Sequence, residues 1–202
     1  MLLAIECANG ACSVAVEHAG ALKAFDLKNA DRGQAECLMP MCVDAVKKAG
    51  AGFKSLEKIA VTVGPGSFTG VRIGLAAARG LATAAGVPMV GVDVLTLIAD
   101  AFKNKKIAAV VDTKRDDCFV RVFENGRPVT DACVMAVADV EKLPVDLFAG
   151  NGASMLAGSL PRDPYMPTAK ELALYAETQT PAETFPVPLY LREAEVTVCP
   201  AS

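Results

Sequence analysis

The chain has 202 residues, 52% hydrophobic and 21% charged, with a net charge of −3, a pI near 5.3 and a mean hydropathy of +0.35. That length holds one large domain or two lobes, and either can bury a real core. The acidic balance lacks the basic field that a self-sufficient nucleic-acid binder needs, and no apolar run approaches the roughly 18–20 residues of a membrane span.

The opening M-L-L-A-I-E has no basic n-region, and Glu6 interrupts it before an apolar h-region forms, so the expected location is the cytoplasm. Leu2 to Cys7 reads as a buried strand, with Ala11 to Glu17 as its antiparallel neighbour across Asn9-Gly10. Ala21 to Leu27 follows as a third strand after Ala19-Gly20. His18, the one histidine, falls beside that second turn and reads as a turn residue. From Gln34 to Lys48 a helical period takes over, with Leu38, Met41, Cys42 and Ala45 on one face, and Gly50 and Gly52 end it.

Ile59 to Gly86 organises the rest. Ile59 to Val63 predicts a strand covered on both faces. Gly64, Pro65 and Gly66 stop it, because proline cannot join the ladder and glycine admits positive φ or the close approach of a backbone or an anion. Ser67 or Thr69 can cap the following helix, whose apolar positions Val71, Leu75, Ala78 and Leu81 recur at three- and four-residue steps. Gly70, Gly74, Ala77 and Gly80 place small residues beside them. Each glycine costs about 1 kcal/mol against alanine inside a helix, which predicts a surface where another helix comes close.

A helix start behind a glycine turn also suits phosphate. The spacing, however, matches neither the G-x-x-x-x-G-K-[ST] loop nor G-x-G-x-x-G. A short strand over Met89 to Val92 and a helix from Asp93 complete a lobe by residue 103.

The second lobe, 104–202, begins with Ile107 to Asp112. Cys12, Val14, Val16 and Gly20 recur 106 positions later as Cys118, Val120, Val122 and Gly126, and the acid at Glu6 recurs as Asp112, which suggests a duplication. V-D-L-F-A-G-N-G-A from Val145 mirrors the strand and glycine turn of the first lobe. The prolines beyond leave room for one helix, Ala169 to Glu177, with the last residues packing back on the first lobe. Two lobes, each opening on a strand meander and continuing with alternating helices and strands, predict an α/β fold of the actin, hexokinase and Hsp70 class (ASKHA), its second lobe reduced.

In such a fold an autonomous nucleotide cleft would use Glu6, Gly64, Gly66, Ser67 and Asp112. The turn D-T-K-R-D-D from Asp112 has no glycine to bring backbone N–H groups to a phosphate, and its acids would repel one without a bridging cation. Ser67 lies outside a G-x-S-x-G elbow. Seven cysteines (7, 12, 37, 42, 118, 133 and 199), odd in number and without a C-x-x-C pair, read as small core residues and give neither a disulfide framework nor a zinc site. Nothing in sequence sets a helix N-terminus or a cation beside Cys7 or Cys12 to lower a thiol pKa.

G-P-G-S-F-T-G-V-R-I-G, residues 64–74, closely resembles the signature of the TsaB (YeaZ) family. The resemblance covers about residues 1–100. It continues more faintly at D-T-K-R (112–115), G-N-G-A (150–153) and P-L-Y-L-R (188–192). It implies a non-catalytic subunit that binds and activates TsaD, the related subunit with the metal and active site, during transfer of threonylcarbamoyl to the adenosine beside the tRNA anticodon. It also implies TsaE in the larger complex, a homodimer when alone, tRNA met only through the complex, no cofactor of its own, and ATP or ADP at the complex interface.

The family's docking helices correspond to Gln34–Lys48 and Gly70–Ala85. This makes Gln34, Leu38, Met41, Cys42, Ala45, Gly70, Val71, Gly74, Leu75 and Ala78 the expected partner interface. Glu6 stands where the family usually has aspartate, and Gln34 where histidine is common. The H-x-x-x-H metal motif of TsaD-type enzymes has no counterpart. The alternative reading is an autonomous ATPase or phosphotransferase of the same fold class.

Overall fold

The computed structural model describes residues 1–29 and 33–192; Cys199 lies outside them. Its first sheet takes five strands, β1 (Leu2–Glu6), β2 (Ala11–His18), β3 (Ala21–Asn29), β4 (Lys58–Thr62) and β5 (Met89–Val92), in the order β3-β2-β1-β4-β5. β1 to β3 form the expected meander, turning at Ala19 and Gly20 with φ of 53° and 74°, the paired positive φ values of a tight hairpin. β4 and β5 join in parallel, so each needs a covering helix for its crossover.

Those helices are α1 (Gln34–Lys48), α2 (Phe68–Ala85) and α3 (Val94–Ala101). Ser67 caps α2 by accepting from Gly70 N at 3.2 Å, and Gly86 ends it at φ 68°. The carboxylate of Asp93 caps α3 by accepting from Thr96 N at 2.8 Å.

α1 and α2 cover one face of this sheet, burying Leu38, Met41, Val71 and Leu75 over Leu3, Ile5, Ile59 and Val61. Ridges of Leu, Val and Ile interdigitate there, and this is the main core of the lobe.

The second sheet contains β6 (Lys106–Asp112), β7 (Asp117–Glu124), β8 (Arg127–Pro128), β9 (Cys133–Ala136), β10 (Leu147–Ala149) and β11 (Arg162–Asp163). Its order is β11-β10-β6-β7-β8, with β9 also on β7. Where a third meander strand was expected, β8 and β9 share one edge of β7 as two short pieces. Val129 N still donates to Val122 O at 2.9 Å, but Val122 N is taken by the Thr130 hydroxyl at 3.0 Å instead of a backbone carbonyl, and the edge breaks there. The outer face is covered by the single-turn helix α4 (Val137–Val140) and a 3₁₀ turn at Asn151–Met155, which is why this lobe is small.

The 106-residue offset holds for Glu6 and Asp112 but not for the strands that follow. Glu6 lies opposite Ser13, and Asp112 opposite Cys118. The second hairpin is therefore one residue shorter, and Cys118, Val120 and Val122 stand one step out of register with Cys12, Val14 and Val16. A one-residue slip exchanges sheet faces: the first set lies under α1, whereas the second packs outward with Val140 and Leu156.

α5 (Ala169–Glu177) follows the second lobe in sequence yet covers the other face of the first sheet. Thr168 and Glu171 form its capping box, and Ala169, Leu172, Ala173 and Ala176 lie on Leu2, Ala4, Ala15, Ala60 and Val90. Alanine on both sides lets the helix sit close to the strands. Lys58 Nζ donates to the carbonyls of Ala176 at 2.7 Å and Glu177 at 2.5 Å, a cation at the negative helix end. α3 then ties the two sheets together, with Val94, Leu95 and Ile98 in one core with Ile107, Val111 and Phe123.

Replacing Leu172 by alanine would leave a cavity between α5 and the sheet, and should lower unfolding free energy by about 2–5 kcal/mol in urea titration. Gly80→Ala, at a helical position with open space around the added methyl, should raise it by about 0.5–1 kcal/mol in the same measurement.

Candidate functional site

The glycine turn after β4 meets the turn between β1 and β2. A Cβ on Gly66 would lie 2.4 Å from Ala8 O, and one on Gly70 would lie 2.0 Å from Cys7 O. Glycine is required at both positions because the backbone of the first hairpin turn occupies the space. Ser67 N donates to Ala8 O at 2.7 Å, so an N–H suited to an anion is satisfied by the chain itself. Gly64 adopts φ 94°, and its carbonyl accepts from Val94 N at 2.7 Å at the start of α3.

Glu6 is buried beneath this turn, accepting from Ala8 N at 2.6 Å and Asn9 N at 3.1 Å. Burial pushes its carboxyl up to about 8, against the pull of those two N–H groups. Asp112, the corresponding acid of the second lobe, accepts from Lys114 N at 2.6 Å and pairs with Lys114 Nζ at 2.9 Å. Of the expected cleft residues, Glu6, Gly66 and Ser67 converge on one turn and are spent on its backbone. Asp112 belongs to a separate hairpin.

The second glycine turn repeats the arrangement. Gly150 and Gly152 abut Val110 O and Asp112 N, and Asn151 Oδ1 accepts from Asp112 N at 3.0 Å. A pocket of about 260 Å³ on this lobe is lined by Phe148, Leu156 and Leu160 with Glu141 and Arg162, whose charged groups already bond the backbone of residues 156–158. Among the described residues no group of three or more His, Cys, Asp and Glu is placed to hold a metal, and no helix is long and apolar enough to cross a membrane.

The ten residues expected to form the partner interface point inward. Gln34, Leu38, Met41, Cys42 and Ala45 on α1, with Gly70, Val71, Gly74, Leu75 and Ala78 on α2, are all buried. They form the faces these helices turn toward their own sheet. The proposed glycine stripe divides: Gly70 and Gly74 lie against Cys7, with a Cβ at Gly74 3.6 Å from that of Cys7, whereas Ala77 is half-buried at the edge of the core and Gly80 faces outward. Glycine spacing alone cannot tell whether a close neighbour is another subunit or the chain's own turn.

The outward surface is different. On α1 it includes Ala35, Met39, Pro40 and the half-buried Val43, with Met39 41% exposed; on α2 Gly80 and Ala84 are exposed, with Ile73 and Ala77 half-buried beside them at the edge of the core. The other flank of α2 is taken by the C-terminal segment. Arg79 Nη2 donates to Pro186 O, Arg72 Nε to Tyr190 Oη at 3.0 Å, and Leu189 N to Val63 O at 2.8 Å. The Arg72 guanidinium also stacks 3.6 Å over the Phe68 ring, which lies 5.7 Å from that of Tyr190. Sequence reasoning picked out P-L-Y-L-R and expected the last residues to pack back on the first lobe, but did not name the arginine partners of this strap, which lie more than 100 residues away.

Two sheets joined by α3, the first ordered β3-β2-β1-β4-β5, define a two-lobed α/β protein of the actin, hexokinase and Hsp70 class. A family model described as "TsaD: tRNA N6-adenosine threonylcarbamoyltransferase" matches residues 28–195. The chain is 36% identical over 133 residues to the tRNA threonylcarbamoyladenosine biosynthesis protein TsaB of Escherichia coli, covering 62% of this chain and 57% of that one. It is 30% identical over 168 residues to an uncharacterized Mycobacterium tuberculosis protein, covering 81% and 77%. A solved structure of YeaZ from Pseudomonas aeruginosa superposes with a TM-score of 0.78 at 27% identity, over 94% of this chain and 99% of that one.

The chain belongs to this family, in its TsaB (YeaZ) branch. Its alignment spans about half the length of the first curated TsaB relatives, 57% and 51%.

The raised Glu6 pKa carries a pH signature. From about 4.5 to about 8 the folded chain holds a proton that the unfolded chain has released, so stability falls as pH rises through this window. The slope from Glu6 is at most about 1.4 kcal/mol per pH unit. Glu6→Gln keeps an acceptor for Ala8 N and Asn9 N, and should flatten that part of the urea-midpoint profile.

Proposed function

We propose that this protein is a non-catalytic partner subunit that docks on TsaD and activates it for transfer of the threonylcarbamoyl group to the adenosine beside the anticodon. Membership of the TsaB branch carries the reading. The outward faces of α1 and α2 supply a surface for it, apolar at Met39, Val43 and Ile73 and small at Ala77, Gly80 and Ala84. Small side chains let a partner helix approach closely, and the methionine adapts to its contour. The docking surface is thus carried by the reverse faces of the same two helices that hold the first-lobe core.

The same face would serve a homodimer when TsaD is absent, in competition with the heterodimer. TsaE would join the larger complex elsewhere. The net charge of −3 fits a tRNA contact made through the assembly rather than by this chain. ATP or ADP would belong to the interface with TsaD, because Ala8 fills the Gly66 turn and Glu6 is held by backbone N–H groups.

The test is titration of TsaD with the purified chain, followed by calorimetry and size-exclusion chromatography. Ala84→Arg, at an exposed position of α2, should weaken TsaD binding at least ~10-fold, about 1.4 kcal/mol, with an unchanged melting temperature. Lys170→Glu, on the exposed side of α5, should leave binding as it was. Undiminished binding by both Ala84→Arg and Met39→Glu would overturn the assignment of this face.

A further inference from the structure

Four of the cysteines gather under the N-terminal end of α1. Cys7, just past β1, continues the ladder in which Glu6 faces Ser13, so Cys12 stands directly opposite it across the hairpin. Both thiols are buried on the same sheet face, with Cys7 Sγ 3.3 Å from Cys12 Sγ. Cys12 Sγ and Cys37 Sγ both approach the carbonyl of Gln34, at 3.9 and 3.5 Å, which makes the two sulfurs neighbours. Cys42 completes the cluster and is buried, whereas Cys37, in the first turn of α1, is half-buried and lies near Lys28.

We propose that Cys7 and Cys12 form a redox-modifiable dithiol whose oxidising equivalents enter from a hydroperoxide through Cys37. The geometry separates the roles. Opposed positions of an antiparallel pair bring Cβ atoms within the span of a disulfide, and the sulfurs need close by only about 1.3 Å to reach a bonded S–S distance of roughly 2.0 Å. Neither thiol of this pair reaches solvent, so an oxidant must first meet a more exposed sulfur.

Cys37 is that sulfur: it meets the same Gln34 carbonyl as Cys12 and is only half-buried, and although burial and the neighbouring Cys12 raise its thiol pKa against the pull of Lys28, it is the member of the cluster an oxidant can reach. Within the pair, Cys7 is the donor of the S–H···S bond, and this brings the Cys12 thiol down to about 7 against the effect of burial. The buried sulfur next to Cys37 is thus the one readied as a nucleophile.

The steps balance without any other reagent. The Cys37 thiolate attacks the hydroperoxide, forming a sulfenic acid and releasing water from hydrogen peroxide. The Cys12 thiolate then attacks the Cys37 sulfur; hydroxide leaves and is protonated to water, giving a Cys12–Cys37 disulfide. Cys7 attacks the Cys12 sulfur and expels Cys37 as thiolate, which takes up the proton Cys7 has lost. Two thiols and one peroxide become one disulfide and two waters, and Cys37 is regenerated.

The location gives the modification a consequence. Cys7 is the residue against which Gly70 and Gly74 of α2 pack, while Cys12 and Cys37 lie at the start of α1. Drawing Cys7 and Cys12 together shifts the seats of both helices. The inference rests on the thiol geometry and stands whether or not TsaD is the partner.

The experiment uses the full reduced chain exposed to hydrogen peroxide, quenched, unfolded, alkylated and mapped after tryptic digestion. Peptide 1–23, which carries both Cys7 and Cys12, should emerge two hydrogens lighter and resistant to alkylation, while Cys37 and the buried control Cys118 still take the label. Cys37→Ser should slow appearance of that peptide about tenfold or more. Cys7→Ala should instead arrest the reaction at a Cys12–Cys37 cross-link. Full alkylation of peptide 1–23 in oxidised wild type would overturn the proposal, and so would an undiminished rate in folded Cys37→Ser.

Discussion

The contact on which the rest of this structure depends is the burial of the first hairpin turn beneath the start of α2. Cys7 and Ala8 place their carbonyls where side chains at positions 70 and 66 would otherwise be, and Ser67 N closes on Ala8 O. That contact fixes the height of α2 above the sheet and the exit of the chain into α3 through Gly64 and Val94. The same turn reaches the other face as well. Asn9 Nδ2 donates to Pro167 O, and Ser13 Oγ accepts from Ala169 N, so the start of α5 is held by the hairpin that seats α2. Helices from distant parts of the chain are therefore registered against a single turn.

Such a turn offers little to a nucleotide. In a phosphate cradle, glycine keeps side chains away so that backbone N–H groups can meet oxygen from outside. Here the glycines are equally necessary, but the oxygens they admit are Cys7 O and Ala8 O. The acid is similarly internal: Glu6 satisfies two N–H groups of its own turn and is held toward its neutral form by burial. The fold of a phosphotransferase class is kept while the groups that would face a ligand are turned on the protein. This suits the proposed role, in which the chain offers a surface to a catalytic relative.

The two helices nearest that turn each serve two neighbours. Their inner faces carry the first-lobe core, while their outer faces remain available between the solvent and the C-terminal strap held by Arg72 and Arg79. Anything that disturbs the turn, including a change in bonding at Cys7 and Cys12, is transmitted to both helices because packed cores shift as units rather than deform smoothly. A strap running from Pro186 to Tyr190 along the opposite flank limits how far α2 can move that way.

Local chemistry in the sequence determined the elements. Helices over Gln34–Lys48 and Ala169–Glu177 follow from apolar periodicity, a capping box and proline punctuation, and the meander follows from its turn residues, because these signals act within a few residues of chain. Family membership was legible in residues 64–74 for a related reason: that block must satisfy a turn, a cap and a close approach at once, which leaves few residue choices. Tertiary structure alone decided which neighbour met each face. Whether Gly74 touches another protein or Cys7, whether Cys118 repeats Cys12, and whether α5 belongs with the lobe that precedes it depend on register and on contacts between segments far apart in the chain, and periodicity is blind to both.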